Sequence, residues 1–369
     1  MERVETEGKP GEVTRTDGEL TRKRWFYAAM SSSGMISKGD VESLADFLDP
    51  INNAAIAWVD YVTGGGDFYQ EALAVTRQLG FSQELASSFA SSSYLTYQDF
   101  DSELGMKLPA IQVKELKVEP YPVLIFMKNS FIFTVHPLTV DRRFTRLRRY
   151  AETVLKKIPV DASSTDKLTM LLARIIDHNN DRNFEHLRQV EASGDALSET
   201  LADYSTPGKQ LAPRIFQMKH ALITYLNALW DTVDVLHTLR YGDAELITDD
   251  SRLLDKLGML AEDVNRQIGL AEHMSEVLAS GLEALQSIYN NQLQTVNNRF
   301  ALLMTYLTII GTAVLIPNTI ATMLGDPVFD IGPKDLVWYW PLMIGATALG
   351  TFLSYWWVKR TGWIPKKMD

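Results

Sequence analysis

Residues Tyr289–Ile320 read YNNQLQTVNNRFALLMTYLTIIGTAVLIPNTI. The first part is crowded with neutral amides: Asn290, Asn291, Gln292, Gln294, Asn297 and Asn298. From Phe300 to Gly325 no residue is charged, and Leu336–Val358 is a second uncharged run. Each exceeds the roughly 20 residues a helix needs to cross a bilayer core. Trp338, Tyr339 and Trp340 open the second run, and Tyr355, Trp356, Trp357 and Trp363 close it. Aromatic rings at both ends are the mark of the two bilayer interfaces. Lys359, Arg360, Lys366 and Lys367 follow, whereas the connecting stretch 326–335 holds three Asp and one Lys. The basic end therefore reads as cytoplasmic (359–369) and 326–335 as an external loop. No apolar stretch precedes Arg24, so 1–24 reads as a flexible polar tail and the N-terminal part also stays inside. The expected location is the plasma membrane, multi-pass, with both termini cytoplasmic.

Working back from the first run, no proline occurs between Pro213 and Pro317, and Tyr241-Gly242-Asp243 is the only strong break. One helix is expected from about Arg214 to Arg240. A second starts near Thr248, where Thr248, Asp249 and Asp250 offer capping oxygens, and continues to 325. At 1.5 Å per residue that is on the order of 110 Å, too long for a compact domain, so it leaves the soluble part as a stalk and becomes the first membrane helix. Leu257, Leu260, Val264, Ala271, Met274, Leu278, Leu285 and Ile288 follow a seven-residue repeat. Either a helix–helix seam or packing within the helix's own domain explains it.

Residues 25–140 read as an α/β unit. Ala54–Val62 is a strand, a Gly-rich turn follows, and Phe68–Leu79 and Ser82–Ser93 are helices. Val113–Glu119, Pro122–Met127 and Ser130–Val135 are strands, the last two joined by a tight turn at Lys128-Asn129. The sheet is expected to be largely antiparallel. Residues 141–247 are helical: Asp141–Lys157 with five arginines on a solvated face, then Asp166–Asp177 and Phe184–Leu201. His178 and His186 flank an Asn/Asp-rich segment read as a surface loop. The fold class is α+β, with a stalk helix and two C-terminal membrane helices.

The chain has 369 residues and a formal net charge of −10, which argues against nucleic acid as a partner. It has no Cys, so thiolate chemistry is excluded. Six scattered His, without a His-Glu-x-x-His pair, nucleophile elbow or phosphate loop, argue against an enzyme. The chemistry sits in the membrane run. Met304, Thr308, Gly311, Leu315, Asn318 and Thr322 lie three or four apart and share one helix face. Such a polar stripe either packs helices or lines water. Two helices cannot enclose a channel, so a water-lining role requires several copies around one axis. The amides near Asn297 suit a pore vestibule or a hydrophilic stop at the interface.

The quoted stretch, the two C-terminal membrane helices, the basic end and the strand pair VLIFMKNSFIFTVHP before a charged helix resemble the CorA metal ion transporter family over about 58–367. That resemblance implies a funnel-shaped homopentamer in a lipid bilayer, with a pore formed by five first membrane helices. It implies transport of hydrated divalent cations, Mg2+ first, as cargo and as a regulatory ligand, with no resident cofactor. The pore face carried over is Asn297, Met304, Thr308, Gly311, Leu315, Asn318 and Thr322. The family's Gly-Met-Asn signature falls on Gly325, Asp326 and Pro327, an outer mouth where only the Gly matches. Asn318 then becomes the expected filter, one to two turns deeper. Asp326 either supplies a ring of carboxylates or merely ends the helix with Pro327. Both Asn318 and Asp326 are candidate contacts for a hydrated ion. Met304 and Leu315 form apolar rings able to gate by dewetting. Asp67, Asp249, Asp250, Asp255, Glu262 and Asp263 are available acids, none assignable as a sensor. The alternative function is a non-conducting membrane-anchored scaffold or regulator of the same architecture.

Overall fold

The computed structural model describes residues 24–91, 95–202, 208–325 and 332–360. The expected tail (1–24, all but Arg24), the outer-mouth residues Asp326 and Pro327, most of the expected external loop and the end from 361 lie outside them. The chain divides into a body up to Gly281 and a second unit from Leu282.

The body is built on seven strands: β1 Trp25–Ser31, β2 Ile36–Val41, β3 Ala54–Thr63, β4 Tyr97–Asp99, β5 Glu103–Lys114, β6 Lys117–Lys128 and β7 Phe131–Pro137. They form one sheet in the order β2-β1-β3-β7-β6-β5-β4. Only β3 and β7 pair in parallel; the other neighbours are antiparallel. Side chains alternate between the two faces. Ala57, Val59, Phe126, Phe133 and Val135 join Phe47, Leu85 and Phe89 in a core under three short helices, α1 Leu48–Asn52, α2 Phe68–Gln78 and α3 Gln83–Ser91. The intervening residues of β3 and β7, among them Asp60 and His136, face α4 Asp141–Lys156. Two long helices, α5 Ser164–Ala202 and α6 Gly208–Tyr241, pack against β5 and β6.

Several expectations need correction. Val113–Glu119 is not a strand. It holds the end of β5, a two-residue turn at Glu115-Leu116 with Glu115 at φ 56°, and the start of β6. The long strands are hard to see because Pro109 and Pro122 read as breaks, yet they sit opposite each other in the ladder. β4 pairs only with Leu104–Met106, and β7 only with β6 from Leu124 onward. Both prolines therefore lie where the strand has a free edge and a missing N–H breaks no ladder bond. β1, β2 and β4 were not expected at all. The two helices expected at Asp166–Asp177 and Phe184–Leu201 are one, α5, so His178 and His186 do not flank a loop.

The reason lies in the partners of the asparagines. Asn179 and Asn183 point inward and donate to the Pro109 carbonyl at 3.0 and 3.1 Å. Asn183 also accepts from Ile111 N at 3.0 Å. Long-range partners thus replace the local backbone bonds through which asparagine favours turns. Arg143 is likewise not on a solvated face. It is buried, and its guanidinium donates to Asn179, Asn183 and the Ile111 carbonyl. With neutral acceptors only, burial pushes it down to about 10. Arg148 lies between Asp60 and Asp141, while Arg142, Arg146 and Arg149 are exposed as expected.

Helix α7 runs unbroken over Ser251–Leu324. Asp250 starts it, its side chain accepting from Arg252 N at 3.0 Å. Leu257, Val264, Ala271 and Leu278 of the seven-residue repeat are buried within the chain itself, so their share of the repeat is packing inside the body.

In the second unit, the remainder of α7 runs beside α8 Leu336–Arg360, which follows a single 3-10 turn at Pro333–Asp335. Both helices are long and apolar enough to cross a membrane. Leu307, Ile310, Val314, Val337, Ile344 and Phe352 are more than 60% exposed, an apolar surface suited to lipid rather than water.

Candidate functional site

The stripe from Met304 to Thr322 covers five helical turns, about 27 Å of rise. Met304, Thr308, Gly311, Leu315, Asn318 and Thr322 are all exposed, as is Asn297 below them. The opposite side of the helix is claimed. Thr305, Ile309 and Ala313 are buried, and Ile316 lies against Gly350 of α8. Ile309 and Ala313 stand two residues either side of Gly311, about 160° around a helix of 3.6 residues per turn. The stripe therefore faces away from α8. This partition follows from side-chain size: branched residues and a glycine let the two helices approach, and the amide, hydroxyl and glycine positions are left on the free side.

Thr308 donates its hydroxyl to the Met304 carbonyl at 2.8 Å, and Thr322 to the Asn318 carbonyl at 2.8 Å. A threonine that spends its proton on its own helix keeps oxygen lone pairs for an outside donor, such as the hydration shell of a cation. Asn318 follows Pro317, which lies inside α7 and lacks the N–H that would bond the Ala313 carbonyl. The Asn318 amide makes no hydrogen bond among the described residues. It is the most polar group on the stripe and the costliest to leave facing hydrocarbon. Below, every residue from 289 to 300 is exposed, so the amide-rich segment buries none of its side chains within the chain. Gly325 closes the helix, its N–H reaching the Ala321 carbonyl at 3.0 Å.

Among the described residues no group of three His, Asp or Glu is placed to hold a metal ion. Four of the six available acids have other work. Asp67 caps α2 through Tyr69 N and Gln70 N, Asp250 caps α7, Asp255 pairs with Arg240 at 3.2 Å and Asp263 with Arg266. The sequence reading missed a buried cluster that joins the sheet to α4. Asp60 and His136 are fully buried, with Nε2 3.3 Å from Asp60 Oδ2, and Arg148 Nε 2.8 Å from the same oxygen. Burial raises the Asp60 carboxyl, yet His136 and Arg148 outweigh it and hold the group below its ordinary value. No local signal could reveal this cluster, since Asp60 lies 76 residues before His136 in sequence.

A family model described as CorA-like Mg2+ transporter protein matches residues 53–360. Among solved structures, the complete CorA magnesium transporter from Methanocaldococcus jannaschii aligns at TM-score 0.65 and 17% identity, covering 94% of this chain and 100% of that one. The full-length CmaX protein aligns at TM-score 0.60 and 16% identity, over 93% and 99% of the two chains. The ZntB cytoplasmic domain from Vibrio parahaemolyticus aligns at TM-score 0.53 and 13% identity, over 73% and 100%. At such identities these likenesses speak to fold. No curated protein matches the chain.

Proposed function

The chain belongs to the CorA-like Mg2+ transporter family, and from that premise we propose that it forms a homopentameric channel for divalent cations, lined by the α7 stripe. The single observation that carries this reading is the free face of α7. Six residues in register, among them an unpartnered amide, point away from α8. Five copies around one axis give that face water instead of lipid.

In this arrangement the ion keeps most of its hydration shell, because a small divalent cation gives up water reluctantly. Neutral amides and hydroxyls accept from the bound waters without trapping the charge. The Asn318 ring selects. Met304 and Leu315 form the apolar constrictions, where the water column breaks when the pore narrows. Asn297 and the amides around it make the inner vestibule. Asp326 adds a ring of carboxylates at the outer mouth, concentrating cations and discriminating among them less finely.

The test is flux of Mg2+, Co2+, Ni2+ and Zn2+ into liposomes carrying the full chain. Asn318→Ala changes the order of preference among the ions. Asp326→Ala lowers flux at low cation concentration and leaves the order unchanged. An unaltered order in Asn318→Ala removes that residue as the filter. The Gly-Asp-Pro sequence at 325–327 supports a second reading, a non-conducting scaffold, and absence of flux for all four ions decides for it.

A further inference from the structure

Within the body, α4, α5 and α7 enclose a cleft of about 330 Å3. Its floor is apolar and buried: Ile158 just past the end of α4, with Leu253 and Leu260 of α7. Met170 and Met259 form walls, and Met259 is 58% exposed on the lip. Methionine walls adapt to different shapes. The rim carries Lys157, Arg174 and Lys256 against two acids, Asp177 and Asp263. Both acids are already answered within the chain, Asp177 by Arg174 at 3.3 Å and Asp263 by Arg266. The Lys157 and Lys256 ammonium groups have no hydrogen-bond or acidic partner among the described residues. The cleft thus pairs an apolar floor with two uncommitted ammonium groups, in an otherwise acidic chain.

We infer that this cleft binds a small amphipathic anion: an aromatic or short acyl body seated on Ile158, Leu253 and Leu260, with a phosphate or similar head held between Lys157 and Lys256. The volume is at the lower end of the range for small-molecule sites, which limits the body to about two fused rings. Burial of the body supplies affinity and the two lysines supply the choice of charge. A ligand seated there touches three helices at once, including the first turns of α7. The inference stands apart from the pore reading, because binding is measured directly and needs no flux.

The experiment is calorimetric titration of 1-naphthyl phosphate into the full chain in phosphatidylcholine nanodiscs, with empty nanodiscs subtracted. Inorganic phosphate carries the charge alone and 1-naphthol the rings alone. Naphthyl phosphate binds, and the other two bind about tenfold more weakly or not at all. Lys157→Gln and Lys256→Gln each weaken binding about three- to fivefold, the scale of one exposed charge. Both lysines are exposed, so these variants keep the fold. Ala173→Phe fills the cleft without changing a charge and abolishes binding. Four results overturn the inference: no binding to the natural chain, undiminished binding to both lysine variants, inorganic phosphate bound as well as naphthyl phosphate, or Ala173→Phe without effect.

Discussion

His178 illustrates how far one side chain's behaviour departs from its local sequence. Its neighbours suggest a loop, yet it lies on α5 with Nε2 2.8 Å from the Arg143 carbonyl. That geometry makes Nε2 the donor. Burial holds the imidazole below its ordinary value, Arg182 and Arg146 add to this, and the carbonyl bond and Asp181 act against it. The folded state therefore prefers the neutral ring. As pH falls through about 6.5 the unfolded chain takes up a proton that the folded chain refuses, so the body loses stability across that window. His186 is shifted the same way by burial. Asp60 behaves differently: its depressed carboxyl contributes stability above its ordinary value of 3.8, lost only below it. Thermal melts between about pH 7.5 and 5.5 should fall with acid in the natural chain. They should fall less in His178→Gln, whose amide can still donate to Arg143. A steeper loss in the variant overturns the assignment. Residues such as Arg143 and Asn183 show the same limit: their types were legible in the sequence, but their partners were not.

Elements divide into those whose cause is local and those whose cause is remote. Helices α7 and α8 are legible because length, apolar content and flanking aromatics are properties of contiguous residues. Strands β5 and β6 were half missed because their prolines are tolerated only by virtue of which neighbouring strands stop short. Contact between α7 and α8 rests on a small residue that periodicity alone does not single out. A Cβ placed on Gly350 comes within 2.7 Å of Ile316 Cδ1, whereas one on Gly345 meets nothing within 4 Å. Gly350→Leu should therefore push the two membrane helices apart and turn the α7 stripe. Cation flux should drop at least about tenfold, with protein yield falling by less, because overpacking costs on the order of 1–3 kcal/mol. Gly345→Leu, on the exposed side, should leave flux within about twofold, as surface substitutions away from packing contacts usually do. Equal flux in the two variants would show that this contact does not orient the stripe.

At the scale of the whole molecule, one chain leaves the α7 stripe exposed on the side away from α8. Closed symmetric assembly satisfies such a face in every copy. Native mass spectrometry of the detergent-solubilised 41.6-kDa chain should show five copies, about 208 kDa. A lone protomer under conditions that retain flux would refute the pentamer. The net charge of −10 favours cations around the assembled protein and disfavours anions.

Residue order alone determined that two segments enter a bilayer, that a long helix precedes them, that the basic end is cytoplasmic and which residues share a face of α7. All of these depend on spacing along one element or on the composition of a contiguous run. Tertiary structure alone decided which side of α7 meets α8, that Asn179 and Asn183 clamp Pro109 and Arg143 instead of turning the chain, and that Asp60, His136 and Arg148 form one buried cluster. Those outcomes depend on groups brought together from distant positions, where desolvation makes each polar atom's partner matter more than its neighbours in sequence.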